Sequence, residues 1–470
     1  MILLSIVIFG LMVERAAAAA VDQKLPLGRF GSVSVYGQDN LKPQRFVIFL
    51  SGDAGWNAGM ASMVKPLLDR GAVVVGVSTP EYLKQLRGIK EKCHYPAADF
   101  EALSHLLQKQ WHFPRYIRPT LLGYSSGATL AYATLVQAPP QTFAGAVSMG
   151  FCPDLGIDRP FCKGHGLTAE PWKKKKGFDL LPTATLEQPW YILNGTQDQV
   201  CPIAPQRAFA AKTPRSILLE LPKVGHGFSV PKNWAPSLNE ALEKISAQDN
   251  TEAKSKASTT PDIDDLPLIE LPHDPQAQKD VLFIIWSGDG GWSSLDKELA
   301  EQLNLRGYSV VGLDSLRYFW EERTPDQIGK DMNRIAQAFL KSWGLKRIVW
   351  IGYSMGADIL PFGLSRMTHE LAKKTLGAAY LGLGKKADFE FRVANWLVNT
   401  STEDGHPIDS ELKRLPLLKQ LCLRGEDEDE SGCDGKHSAS FTSITVAGGH
   451  HFGGDYDKLA DLILKYFSLL

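Results

Sequence analysis

The sequence predicts an α/β protein of two tandem domains, each a mostly parallel sheet covered by helices on both faces. Two observations lead there. Short apolar runs alternate with helical-length segments, and one series of four motifs occurs twice in the same order. Residues 46–50, 73–77, 120–122, 145–149, 191–193 and 217–221 read as strands. Residues 58–70, 97–110 and 127–137 lie between them and read as helices. Continuous Val, Ile and Leu runs mark strands buried on both faces, which a parallel sheet between two helical layers provides.

The repeat justifies the tandem arrangement. Arg45-Phe-Val-Ile-Phe-Leu-Ser-Gly-Asp-Ala-Gly-Trp56 returns as Val281-Leu-Phe-Ile-Ile-Trp-Ser-Gly-Asp-Gly-Gly-Trp292. Arg70-Gly-Ala-Val-Val-Val-Gly-Val77 returns as Arg306-Gly-Tyr-Ser-Val-Val-Gly-Leu313. Leu122-Gly-Tyr-Ser-Ser-Gly-Ala128 returns as Ile351-Gly-Tyr-Ser-Met-Gly-Ala357, and Gly225-His-Gly-Phe228 as Gly449-His-His-Phe452. The first copy is assigned to 23–245 and the second to 279–470. Between them, 246–278 is rich in Ala, Ser, Thr, Asp and Pro, and reads as a linker stiffened by Pro261, Pro267, Pro272 and Pro275. An insertion is expected in the first copy at about 152–179, containing Lys173, Lys174, Lys175 and Lys176.

Length and composition agree: 470 residues exceed one ordinary domain, and 44% hydrophobic with 22% charged residues suits sizeable cores. A net charge of −1 excludes a globally basic nucleic-acid binder. The charge is split, however. Residues 23–245 carry 25 Lys and Arg against 16 Asp and Glu; residues 279–470 carry 23 against 27.

Residues 1–20 read as a signal peptide. A short apolar core spans 2–13 and small residues at 16–20 supply a cleavage site, although no positive segment precedes the core. No later stretch is long and apolar enough to span a membrane, so a soluble exported protein is expected. The cysteines fit an oxidising compartment: Cys93, Cys152, Cys162 and Cys201 in the first half, Cys422 and Cys433 in the second. If each half pairs internally, Cys422 joins Cys433. In the first half three connectivities exist, and pairing Cys152 with Cys162 closes the shortest loop and leaves Cys93 for Cys201.

The chemistry sits at strand ends. Gly123-Tyr-Ser125-Ser-Gly127 and Gly352-Tyr-Ser354-Met-Gly356 each follow a strand and precede a helix, the setting of a nucleophile elbow. A serine nucleophile needs a base, and the base an orienting acid. The α/β-hydrolase order is Ser, acid, His, and both copies supply it, which makes tandem α/β-hydrolase domains the predicted fold. Ser125, Asp198 and His226 form the first candidate triad. In the second, Ser354 is joined by Glu428, with Asp427 or Asp429 as alternatives, and by His450 in preference to His451. Asp198 lies 73 residues after its serine and Glu428 lies 74 after its own.

An oxyanion needs two preorganised backbone donors. One is expected at Ser126 or Met355. The other is expected in the glycine-rich loops holding Asp53 in one copy and Asp289 and Gly290 in the other. The Asp53 and Asp289 carboxylates would either fix these loops by local hydrogen bonds or meet a cationic substrate. Asp289, Trp292 and Asp358 are candidate substrate contacts, and 318–325 is a candidate lid.

Ser-Gly-Asp-Gly-Gly-Trp, Gly-Tyr-Ser-Met-Gly-Ala-Asp358, Gly-Glu-Asp-Glu-Asp and Gly-Gly-His-His-Phe resemble the VirJ/AcvB family of bacterial virulence-associated proteins. Its single-domain members resemble the second half alone; its two-domain members match nearly the whole mature chain. The resemblance implies a periplasmic location and, for two-domain members, hydrolysis of lysyl-phosphatidylglycerol to lysine and phosphatidylglycerol, with Ser354 as nucleophile. The first half departs from the pattern: Ser126 stands for Met355, and no Asp follows Ala128.

The expectation is therefore a serine esterase acting on an aminoacylated phospholipid without metal or organic cofactor. The acidic second half would attract the ammonium group, and the basic first half would rest against an anionic membrane surface. Secretion-system components are further expected partners, and nucleic acid is not. The competing readings are a non-catalytic periplasmic binding module and a general carboxylesterase or lipase.

Overall fold

The computed structural model describes residues 23–37, 42–88, 92–255, 263–274, 276, 279–292, 294–391, 405–415, 417–428, 431–434 and 441–470. The expected signal peptide, Pro261, Pro275 and Asp429 lie outside the described residues.

Each copy is built on one mixed, mostly parallel sheet. The first sheet has eight strands. From Ala72–Val77 it runs through Arg45–Leu50, Thr120–Tyr124, Gly145–Met149 and Trp190–Gly195 to Ser216–Leu221, all parallel. Two antiparallel strands, Ser32–Tyr36 and Gln23–Pro26, extend the other edge. The second sheet has seven strands. Its parallel part runs from Ser309–Leu313 through Val281–Trp286, Arg347–Tyr353, Thr375–Leu381 and Gln420–Gly425 to Phe441–Val446.

Strand alternation explains the layers. In Arg45–Leu50, Phe46, Ile48 and Leu50 enter one apolar cluster while Val47 and Phe49 enter another on the opposite face. Met60, Met63, Val64 and Leu67 of helix Ala58–Leu68 cover the second face, together with Leu238, Leu242 and Ile245 of helix Ala235–Ser255. Phe100, Leu103 and Leu107 of helix Pro96–Gln110 cover the first. The second copy repeats this, with Ile328, Met332, Ile335 and Phe339 of helix Pro325–Ser342 on the corresponding face.

Those corresponding faces belong to one continuous apolar cluster. Trp320 of the second copy packs at a tilt with its ring 5.2 Å from that of Tyr116 of the first and donates its indole N–H to the Phe113 carbonyl at 2.8 Å. Lys109 pairs with Glu390 at 2.7 Å. Residues 318–325 are therefore no lid. Tyr318, Phe319 and Trp320 are buried, Tyr318 and Phe319 against Trp286 in the second copy's own core and Trp320 in the seam between the copies, because three consecutive aromatic side chains gain more by packing than by facing solvent.

Three other expectations change. The stretch 246–278 is not linker throughout. Helix Ala235–Ser255 runs through its start, and Leu268–Leu271 pairs antiparallel with Ser309–Leu313 as an edge strand of the second sheet. Flanking prolines disguised that strand, since Pro is compatible with a sheet edge. The residues after Met149 are not an insertion peculiar to the first copy. They form a small sheet of Asp154–Leu155, Phe178–Leu180 and Ala169–Pro171, and the second copy makes a matching excursion with Lys386–Ala387 paired to His406–Pro407. Finally, the first-half disulfides are Cys93–Cys162 and Cys152–Cys201, while Cys422 pairs with Cys433. The shortest loop did not decide, because Cys152 and Cys201 both follow adjacent parallel strands and emerge side by side.

Candidate active sites

In each copy a strand ends at the tyrosine before the serine and a helix begins directly after it. The turn is sharp enough to hold Ser125 at φ 56° and Ser354 at φ 51°, a left-handed conformation unusual for serine. The motif glycines are sterically required. A Cβ on Gly123 would stand 2.0 Å from the Gly127 carbonyl oxygen, and one on Gly127 2.3 Å from that of Leu50. In the second copy the corresponding distances, from Gly352 and Gly356, are 2.5 and 2.2 Å.

The first centre is a connected chain. His226 Nε2 lies 3.0 Å from Ser125 Oγ, and its Nδ1 lies 2.8 Å from Asp198 Oδ2. The other Asp198 oxygen accepts from the amides of Val200 and Cys201 at 2.9 and 2.8 Å. These bonds orient the carboxylate, which in turn sets the imidazole tautomer. Tyr124 donates its hydroxyl to the His226 carbonyl at 3.0 Å, holding the histidine loop from below.

The second centre has the same parts in a looser setting. His450 Nδ1 lies 2.5 Å from Glu428 Oε1, and Glu428 Oε2 accepts from the Gly425 amide at 2.7 Å. No hydrogen bond joins His450 to Ser354 among the described residues, and the His450 side chain is 41% exposed against 17% for His226. The two alternatives fall elsewhere. Asp427 is exposed and turns its backbone amide to the Gly448 carbonyl. His451 Nδ1 meets the Tyr353 hydroxyl at 3.0 Å, and burial followed by the neighbouring His450 lowers its pKa.

The amides of Ser126 and Met355 open their helices, so the helical ladder leaves them unspent. Opposite them the glycine-rich loops come close. A Cβ on Gly52 would stand 3.1 Å from Ser125 Cβ, and one on Gly288 3.5 Å from Ser354 Cβ. Asp53, Asp289 and Gly290 are carried on these tight loops, whose turns close from Gly55 to Gly52 and from Gly291 to Gly288. The carboxylates of Asp53 and Asp289 are exposed and fix nothing, since neither has a hydrogen-bond partner among the described residues. Trp292 is not available as a substrate contact. It is 5% exposed and packs on Gly312, where any Cβ would meet its ring at 2.2 Å.

Asp358 lies one helical turn after Ser354 and accepts from the Gly384 amide at 2.6 Å. Burial pushes its pKa well above the usual carboxylate range, and Asp289 and Asp388 push it further. Glu101, from the first copy, shares a cavity wall with Gly290, Gly291 and Trp292 of the loop that carries Asp289. The pKa of Glu101 is pushed up to about 8, first by burial and then by Asp289. The sequence reading missed Glu101 and Asp388. The repeat alignment held a signal for Asp388, which stands where the first copy has Gly156. Nothing local marks Glu101.

Among solved structures the chain is similar to Est1E from Butyrivibrio proteoclasticus, at 10% identity and a TM-score of 0.31, covering 46% of this chain and 95% of that one. It is similar to XC6422 from Xanthomonas campestris, described as an α/β serine hydrolase without lid, at 16% identity, TM-score 0.32, covering 50% and 96%. It is also similar to the esterase domain of a Rhodothermus marinus protein, at 13% identity, TM-score 0.33, covering 48% and 98%. No curated protein matches it. The sequence profile of the family described as bacterial virulence protein (VirJ) matches residues 44–150 and 280–469, over half of the chain and across both serine motifs. The duplicated hydrolase fold described above thus belongs to a member of the VirJ family of bacterial virulence proteins.

Proposed function

We propose that this protein is a periplasmic serine esterase that hydrolyses the aminoacyl ester of an aminoacylated phosphatidylglycerol, lysyl-phosphatidylglycerol, through Ser354. His450 takes the Ser354 Oγ proton as Oγ attacks the ester carbonyl, and Glu428 stabilises the imidazolium. The oxyanion is received by the Met355 amide and an amide of the Gly288–Gly290 stretch. Collapse breaks the bond to the lipid oxygen, which leaves with the proton from His450. Water, deprotonated by the same histidine, then releases lysine from the acyl-enzyme.

The observation that carries the substrate class is a set of carboxyl groups at the Ser354 centre and its edge: Asp289 on the loop facing the serine, Asp358 one turn after it, and Glu101 beside the Gly290–Trp292 end of that loop. Asp289, Asp358 and Glu101 have no Lys or Arg partner among the described residues, and Asp289 raises the pKa of the other two. An arriving ammonium group relieves that mutual repulsion, so a cationic acyl group binds where a neutral one gains nothing. Three disulfides support an oxidising, exported setting, and no helix among the described residues is long and apolar enough to cross a membrane.

The test is lysine release from lysyl-phosphatidylglycerol vesicles by the purified protein beside Ser354→Ala and Ser125→Ala. Loss in Ser354→Ala alone is the expected result. Loss in Ser125→Ala alone would move the reaction to the first centre, and no release by the parent protein would remove this substrate. A fluorophosphonate probe separates either enzyme reading from a binding module, which would not label.

A further inference from the structure

We infer that the first copy is a second, independent esterase centre whose substrates are uncharged esters with an apolar acyl group. The inference shares the serine-hydrolase reading of the fold but does not depend on the lipid assigned to Ser354.

Its chemistry is assembled. Ser125, His226 and Asp198 form an unbroken hydrogen-bonded chain. The family profile stops at residue 150 in this copy, so Asp198 and His226 lie beyond the matched segment even though their geometry is complete. Above Ser125 opens a cavity of about 550 Å³ whose apolar wall is Met60, Met63, Tyr124, Val200, Phe228 and Trp234. Asp53 is the one acidic residue among those lining it.

The contrast with the second centre is position by position. Where Asp358 accepts from the Gly384 amide, Thr129 donates its hydroxyl to the carbonyl of Cys152, the residue that matches Gly384. Asp388 is matched by Gly156, and Glu101 by Lys330 on the equivalent helix. Of Asp289 and Asp358, the carboxyl groups carried on the loop facing Ser354 and on the helix after it, only Asp289 has an acidic counterpart, Asp53. The first centre therefore keeps the nucleophile, base and acid but loses the groups that reward a cation. Its Met, Phe and Trp wall instead favours removing a hydrocarbon chain from water, at about 0.8 kcal/mol per buried CH₂.

The reaction needs no co-reactant other than water. A bond forms between Ser125 Oγ and the acyl carbon while the bond to the leaving alcohol breaks. The serine proton passes through His226 Nε2 to that alcohol, and water reverses the sequence to free the carboxylic acid.

The experiment measures p-nitrophenyl butyrate hydrolysis by the full chain, Ser125→Ala, His226→Ala and Ser354→Ala, with melting curves for each. The expected result is a loss of at least about 1000-fold in the first two variants and little change in the third. In the parent protein, where no variant needs to fold, a fluorophosphonate adduct is expected on the peptide containing Ser125, reduced by excess butyrate ester. Turnover that survives Ser125→Ala, or an adduct found only at Ser354, would overturn the inference. Failure of the lysyl-lipid assay leaves this test intact, because it reads a different substrate and a different serine.

Discussion

Thr129 and Asp358 occupy the same place in the two copies and reverse the direction of one hydrogen bond. The threonine hydroxyl donates to the Cys152 carbonyl, whereas the aspartate accepts from the Gly384 amide. A duplicated scaffold has thereby placed a neutral group beside one nucleophile and a carboxyl group beside the other. This single exchange, with its neighbours Gly156 and Asp388, separates the proposed specificities.

Asp358→Thr is expected to lower kcat/KM for lysyl-phosphatidylglycerol by about 10- to 100-fold, the range for a lost charged hydrogen bond. Neutral-ester hydrolysis should not change. Because the Asp358 pKa lies well above the ordinary range, its anionic form grows as pH rises through that elevated titration. Lysyl-ester turnover should rise with pH in the parent along this limb, and Asp358→Thr should flatten it. A pH–rate profile of both proteins decides the matter.

Glu101→Gln is expected to stabilise the protein. The folded-state pKa of about 8 exceeds the ordinary value of 4.5, so the folded state holds the proton more tightly than the unfolded state does. The favourable linkage is complete below 4.5 and is lost as pH rises toward 8. Against the parent, the glutamine variant should gain about 1–3 kcal/mol at pH 8 and nothing near pH 4, since it removes a buried ionisable group. Denaturant titrations at the two pH values measure the difference. A variant less stable than the parent at pH 8 would show that Glu101 is held as a favourable anion.

Replacing both Cys152 and Cys201 by Ala should affect the first centre selectively. Their disulfide ties the excursion after Met149 to the loop whose Val200 and Cys201 amides hold Asp198. Stability should fall by about 2–4 kcal/mol. Butyrate-ester turnover should drop as Asp198 loses its fixed orientation, while lysine release continues at the parent rate. Equal losses at both substrates would mean that the bridge supports the whole fold and not the first centre in particular.

Much of the architecture was legible because its signals are local. Buried strands announce themselves as runs such as Phe46 to Leu50, and the elbow as glycines whose Cβ atoms have no room at Gly123, Gly127, Gly352 and Gly356. The repeat did the rest, pairing Glu428 with Asp198 and His450 with His226 across the copies. It was less use where polar or proline-rich sequence hid an element, as at Leu268–Leu271, or where an aromatic run at 318–325 looked like a flap and proved to be buried in core and seam.

The sequence by itself determined two hydrolase-like sheets, the serine turns, and the order in which each acid and histidine follows its serine. These depend on strand periodicity, on glycine sterics and on spacing within one copy. Tertiary structure decided which first-half cysteines pair, that Glu428 and not Asp427 is the acid that meets His450, and that Glu101 of one copy lies beside the loop carrying Asp289 in the other. Those relations join residues brought together only by packing, and their energies depend on burial and distance, neither of which is written along the chain.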